Sequence, residues 1–272
     1  MIHLKSQREV DCLRASGDLV SRTLAEVARY IEPGVTTLEL DRVAEAYIRR
    51  HGAEPAFKGY RMGDVPPFPG TLCTSINDVV VHGIPDQTRL REGDLVSIDG
   101  GVYLDGYFGD SAYTFAVGDL SAADGALCRT TLEALLMGTE QAVGGARIGQ
   151  ISAVIQYHCE RAGYGIVREL AGHGIGRKLH EAPQIPNYGH PGLGRRLRMG
   201  MTFCIEPMIN RGTPRVTTDE DSWTVRTADG APSAHFEHMI AVTGDEPEVL
   251  TTFDYIDEVF QSNSLLQMVP HG

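Results

Sequence analysis

The chain has 272 residues, 42% hydrophobic and 22% charged, enough length and apolar material for a buried core in one large domain or two small ones. A formal net charge of −12 counts against general affinity for nucleic acid or for an anionic membrane surface. The five cysteines (Cys12, Cys73, Cys128, Cys159 and Cys204) are odd in number and form no Cys-x-x-Cys pair, which counts against a disulfide framework or a thiolate zinc site and fits a reducing compartment.

The N-terminus, Met1 to Glu9, is polar and lacks the apolar core of a signal peptide. No stretch reaches the roughly 18–20 apolar residues needed to span a bilayer, so a soluble, cytoplasmic protein is expected. Ser6-Gln7-Arg8-Glu9 is a capping box that opens a helix. Val10, Leu13, Gly17, Val20, Leu24, Val27 and Ile31 give that helix one buried stripe, and Pro33-Gly34 ends it. A second box, Thr36-Thr37-Leu38-Glu39, opens another helix with Leu40, Val43, Ala44, Tyr47 and Ile48 on one face. A Pro- and Gly-rich loop from Gly59 to Gly70 follows, then strand-like runs at 71–75 and 79–82.

The segment 95–117 reads as a hairpin whose turn is Asp105-Gly106, a pair that nucleates tight turns. With those two residues as the turn, Gly101 falls opposite Asp110. Asp99 shares a face with Gly101, so Asp99 lies diagonally from Asp110 on that face, about 7–8 Å away. Two acids held this close repel each other unless a cation lies between them, so the hairpin points to a metal site.

The plan then repeats. A helix is expected from Ser121 to about Val143, ended by Gly144-Gly145, and a shorter one carries Ile151, Val154, Ile155 and Cys159 as far as Gly163. Strand-like segments follow at 171–176, 200–208 and 234–243. Two halves, each a helix pair followed by strands, point to a duplicated architecture with a site between the halves. Arg195, Arg196 and Arg198 read as a solvated loop, and residues after Thr252 as a tail without pattern or chemistry.

Three more segments hold chemistry-bearing residues in unusual surroundings: His173 between Gly172 and Gly174, Glu206 at the end of the apolar run 201–205, and Glu237 inside an apolar strand pattern. Burying such acids is costly unless they are paired or bind metal. Each residue alone has a plainer explanation as a turn, loop or paired side chain. Taken together, Asp99, Asp110, His173, Glu206 and Glu237 supply four negative charges and an imidazole, a set that two divalent cations would balance.

On these motifs the chain resembles the type I methionine aminopeptidases of the pita-bread metallopeptidase superfamily. The likeness rests on the segments Cys73–Pro85, Gly93–Asp99, Gly106–Asp110, Gly172–Gly176, Ile205–Met208 and Phe236–His238, and it covers about residues 6–250. It implies an α+β fold with pseudo-twofold duplicated halves, antiparallel β-sheet covered by helices, in a single catalytic domain over 1–272 with 253–272 as a tail. Asp110, His173, Glu206 and Glu237 would hold a first metal, and Asp99, Asp110 and Glu237 a second. Glu206 would relay the proton of the attacking water, His180 would bond the developing oxyanion, and His82 would stand beside the scissile amide. Tyr60, Cys73, Leu179 and Trp223 match positions around the methionine side chain.

The implied reaction is removal of N-terminal methionine from nascent polypeptides, with a preference for a small second residue. The implied cofactors are two divalent ions: manganese, ferrous iron, cobalt or zinc. The implied partners are peptide N-termini and, transiently, the ribosome, with a monomer as the expected state. Phe57, Lys58, Phe108, His235 and the insertion-like run 61–69 depart from the family pattern, and none of them is expected to touch a metal ligand. A proline-directed peptidase of the same fold and a non-catalytic ribosome- or peptide-binding relative are the alternatives.

Overall fold

The computed structural model describes residues 2–262. Helix α1 (Gln7–Ala28) begins at the expected box, where the Glu9 carboxylate accepts the Ser6 N–H at 3.0 Å. Helix α2 (Thr37–Arg50) begins at the second box, with the Glu39 N–H donating to Thr36 Oγ1 at 3.2 Å and the Thr36 N–H returning to Glu39 Oε2 at 2.8 Å. The strands β1 (Glu54–Pro55), β2 (Leu72–Ile76) and β3 (Val79–Val81) precede the long hairpin of β4 (Leu95–Leu104) and β5 (Tyr107–Ala116). Helices α3 (Ala122–Glu140) and α4 (Ile148–Arg161) open the second half. It continues with β6 (Gly165–Ile166), β7 (Gly172–Gly174), β8 (Glu181–Ile185), β9 (Thr202–Ile205) and β10 (Met208–Asn210). Next come β11 (Val216–Thr218), β12 (Val225–Thr227), β13 (Ser233–His235), β14 (His238–Val242), β15 (Pro247–Val249) and helix α5 (Asp254–Ser262).

The duplication is visible residue by residue. α2 and α4 are both 14 residues long, and each is followed at the same interval by a two-residue strand, β1 or β6. Each is preceded at the same interval by a glycine in the left-handed region, Gly34 or Gly145, and a further such glycine, Gly52 or Gly163, closes it. The sheets are antiparallel: β1-β4-β2 with β5 on β4, β13-β10-β6, β11-β12-β3, and β15-β14-β9-β7-β8. This is the expected α+β architecture.

The turn at Asp105-Gly106 forms as expected, with φ of 49° and 90°, and Gly101 pairs with Asp110. α1 lies hard against β5, because a Cβ on Gly109 would sit 2.5 Å from the Ser16 carbonyl. Close packing thus fixes the backbone one residue before Asp110. The residues after Thr252 need a correction. Up to Ser262 they form α5, whose Ile256, Val259 and Phe260 are buried in the main core beside Phe253. The rest of the expected tail lies outside the described residues. No helix among the described residues is long and apolar enough to cross a membrane.

Candidate metal centre

Five side chains converge where the two halves meet. Asp99 and Asp110 come from β4 and β5, with Asp99 opposite Ala112 and Asp110 opposite Gly101, the diagonal relation read from the turn. His173 sits in β7, between β8 and β9. Glu206 follows β9 directly. Glu237 lies between β13 and β14, and its main chain is tied to β5: its N–H donates to Ala112 O at 2.9 Å, and Ser111 Oγ donates to its carbonyl at 2.9 Å. The last carboxylate is therefore fastened to the strand that carries Asp110.

His173 Nε2 lies 3.6 Å from Asp110 Oδ2 and 3.7 Å from Glu206 Oε1. Among the described residues, Asp110, His173, Cys204 and Glu237 each offer a donor atom, all within 4.8 Å of one another. Asp110 and Glu237 are only 3% and 2% exposed, too deep for water to stabilise their charge.

Electrostatics follow from this burial. Asp99 is pushed up to about 7 by desolvation. Asp110 is raised well above the carboxylate range by burial, then by Glu237 and Asp99. Glu206 rises through burial, then Asp99 and Asp110. Glu237 rises through burial, then Glu206 and Asp99, against a hydrogen bond from the Cys204 thiol. His173 is held down to about 3 by burial, then by His180. Desolvated acids beside a neutral imidazole are the donor set a divalent cation would satisfy. Buried Asp99 Oδ1, Asp110 Oδ1 and Glu237 Oε1 also lack a hydrogen-bond partner among the described residues. These residues fit a metal.

A cleft opens from this cluster. Its apolar side is formed by Phe57, Tyr60, Phe68, Cys73, Leu179 and Trp223. Trp223 Nε1 donates to Pro66 O at 2.8 Å, and the Phe68 ring meets the indole edge-on at 5.3 Å. The run 61–69 is thus one wall of the cleft. Tyr60 Oη and His180 Nδ1 are joined by a 2.6 Å hydrogen bond. The His180 ring is 4.2 Å from that of His173. His82 lines the cleft at a φ of 59°, a left-handed conformation costing about 1–2 kcal/mol in a non-glycine residue. A hydrogen bond joins His82 to the Trp223 backbone, and burial lowers the imidazole to about 4.

All residues expected at the metals and in the pocket meet at this one place. Two neighbours were not anticipated. Cys204 stands two residues before Glu206, and His235 two before Glu237, so strand alternation carried the signal for both. The expectation that no departure touches a ligand is corrected by His235, whose Nε2 is 3.7 Å from Glu206 Oε2. Phe68 is a further pocket residue, hidden in a loop without periodicity.

Residues 11–244 match the model of metallopeptidase family M24. The chain is similar to the methionine aminopeptidase of Clostridium perfringens, at 47% identity over 92% of this chain and 99% of that protein. It is 46% identical to methionine aminopeptidase 1 of Bacillus subtilis, again over 92% of this chain and 99% of that protein. The crystal structure of methionine aminopeptidase from Rickettsia prowazekii superposes with a TM-score of 0.90 at 41% identity, covering 93% of this chain and all of that one (100%).

Proposed function

Because the chain belongs to metallopeptidase family M24, we propose how its site carries out the activity of these relatives, the metal-dependent removal of N-terminal methionine. The observation that carries the reading is the convergence of Asp110, His173 and Glu237 beside a cleft lined by aromatic side chains. Asp110, His173, Glu206 and Glu237 would hold one divalent ion, and Asp99, Asp110 and Glu237 would hold a second. Manganese or ferrous iron suits this oxygen-rich set, and cobalt or zinc is also accepted. When bound, such a pair acidifies water and polarises a carbonyl oxygen.

The chain's own groups supply the rest. Glu206 accepts the proton of the attacking water and returns it to the departing amine. With the Tyr60 hydroxyl as donor in its 2.6 Å bond to His180 Nδ1, the ring proton lies on Nε2, and that N–H bonds the carbonyl oxygen as negative charge builds on it. His82 stands beside the scissile amide, its ring edge-on to that of Trp223 at 6.2 Å. Phe57, Tyr60, Phe68, Cys73 and Trp223 hold the methionine side chain, whose flexible thioether suits an aromatic slot. The cleft favours a small second residue, and the substrates are N-termini of newly made polypeptides in the cytoplasm.

The test is release of free methionine from a Met-Gly-Met peptide by the purified protein with added manganese, ferrous iron or cobalt. The Glu206→Ala variant should keep its fold and lose turnover. No methionine release with any of the three metals overturns the reading, and faster cleavage of Xaa-Pro than of Met-Ala peptides transfers it to proline-directed hydrolysis.

A further inference from the structure

His235 is 2% exposed, and its Nε2 has no hydrogen-bond partner among the described residues. A buried ring nitrogen left in this state is costly unless function supplies its partner. The carboxylate facing it is Glu206, whose Oε2 lies 3.7 Å away. The other oxygen of Glu206, Oε1, lies 3.7 Å from His173 Nε2. Two imidazoles thus divide the two oxygens of one carboxylate between them.

The origin of the His235 ring is immobilised. Thr114 Oγ1 accepts the His235 N–H at 2.9 Å and donates to the His235 carbonyl at 2.7 Å, while β13 is registered against β10 with His235 opposite Met208. Thr114 belongs to β5, the strand that carries Asp110. A lone pair aimed at a carboxylate oxygen would be repelled, so the Nε2 proton faces Glu206. Closing 3.7 Å to a charge-assisted hydrogen bond of about 2.8 Å takes a shift of about 1 Å. Catalytic hydrogen bonds commonly tighten by such amounts once the site is filled.

We propose that His235 is the positioning residue of Glu206, its Nε2–H holding Oε2 so that one lone pair of that oxygen stays aimed at the cleft. This rests on the reading of Glu206 as proton acceptor. His235 itself neither gives up nor takes a proton. Its hydrogen bond fixes the carboxylate plane, with Oε1 turned toward His173 and Oε2 toward the reacting water.

The experiment uses the full chain loaded with manganese and compares His235→Ala, His235→Leu, His235→Gln and Glu206→Gln. It reads kcat and KM on a methionyl tripeptide, manganese affinity of the metal-free proteins by calorimetry, and thermal melting. Loss of the donor in the Ala variant should lower kcat and weaken manganese binding, each by about 10–100-fold, with KM changed much less. Gln, which keeps an N–H donor, should recover most of both losses. Leu fills the volume without a donor and should behave as Ala does, so it carries the test if the Ala variant fails to fold. Wild-type kcat and manganese affinity in the Leu variant, or a Gln variant as impaired as Leu, overturns the proposal. Glu206→Gln separates the two readings: if it is inactive while the Leu variant is fully active, only His235 falls. If Glu206→Gln turns over at the wild-type rate, the role of Glu206 falls and this proposal with it.

Discussion

Gly101 faces Asp110 across the β4–β5 ladder, and this pairing sets Asp99 and Asp110 on one face of the sheet. The pairing is enforced at the turn, where Gly106 has a φ of 90°. Gly106→Val places a β-branched residue in that conformation and should destabilise the protein by about 1–2 kcal/mol, read as a lower urea midpoint with unchanged slope.

Removal of metal should make stability fall as pH rises. Burial raises Asp99 to about 7, and burial with charge repulsion raises Asp110, Glu206 and Glu237 above their ordinary values. An acid whose value is higher in the folded chain binds more protons there than when unfolded. Its folded form therefore loses ground from about pH 4 upward, through 7 for Asp99. Melting curves of the metal-free protein should show this decline, and saturating manganese should abolish it. Equal stability of the metal-free protein at pH 5 and pH 8 would contradict the burial of these charges.

The wall formed by 61–69 hangs on one indole. Trp223→Phe keeps an aromatic ring near Phe68 but removes the donor to Pro66 O. Stability should drop by about 0.5–1.5 kcal/mol. Steady-state kinetics on methionyl peptides should show KM raised more than kcat is lowered, since the lost contact holds the wall of the proposed side-chain pocket rather than the reacting bond.

Helix α5 should prove part of the core. Phe260 is 7% exposed, with its ring 6.2 Å from that of Tyr113 and 6.3 Å from that of Phe115. Phe260→Ala should cost about 3–5 kcal/mol in denaturant unfolding. Manganese affinity, measured under folding conditions, should stay near that of the parent chain, because the ring packs in the main core against Tyr113 and Phe115.

What was legible in the chain and what was not follow a physical division. Capping boxes, a 3.6-residue stripe and a two-residue turn are local, so α1, α2, the hairpin and the diagonal placement of Asp99 and Asp110 could be derived from neighbouring residues alone. The meeting of His173, Glu206 and Glu237 with that hairpin is non-local. It was reached through resemblance, supported by the cost of burying acids singly. α5 was missed because nine residues with Ile256, Val259 and Phe260 inward, after Phe253, form too short a pattern to stand out, and only the surface they cover makes them a helix. Phe68 escaped because no periodicity runs through a loop rich in proline. His235 is a different case: it was expected to touch no ligand, whereas its Nε2 stands 3.7 Å from Glu206 Oε2.

The seam between the duplicated halves has a temporal consequence. Asp99 and Asp110 leave the translating machinery more than 60 residues ahead of His173, and Glu237 emerges last of the five. Any truncated product that stops short of Phe236 carries at most four of them and lacks the clasp from Glu237 onto Ala112. On the proposed reading the fifth donor is therefore the last to be made, and a fragment that ends before it should bind manganese more weakly than the full chain.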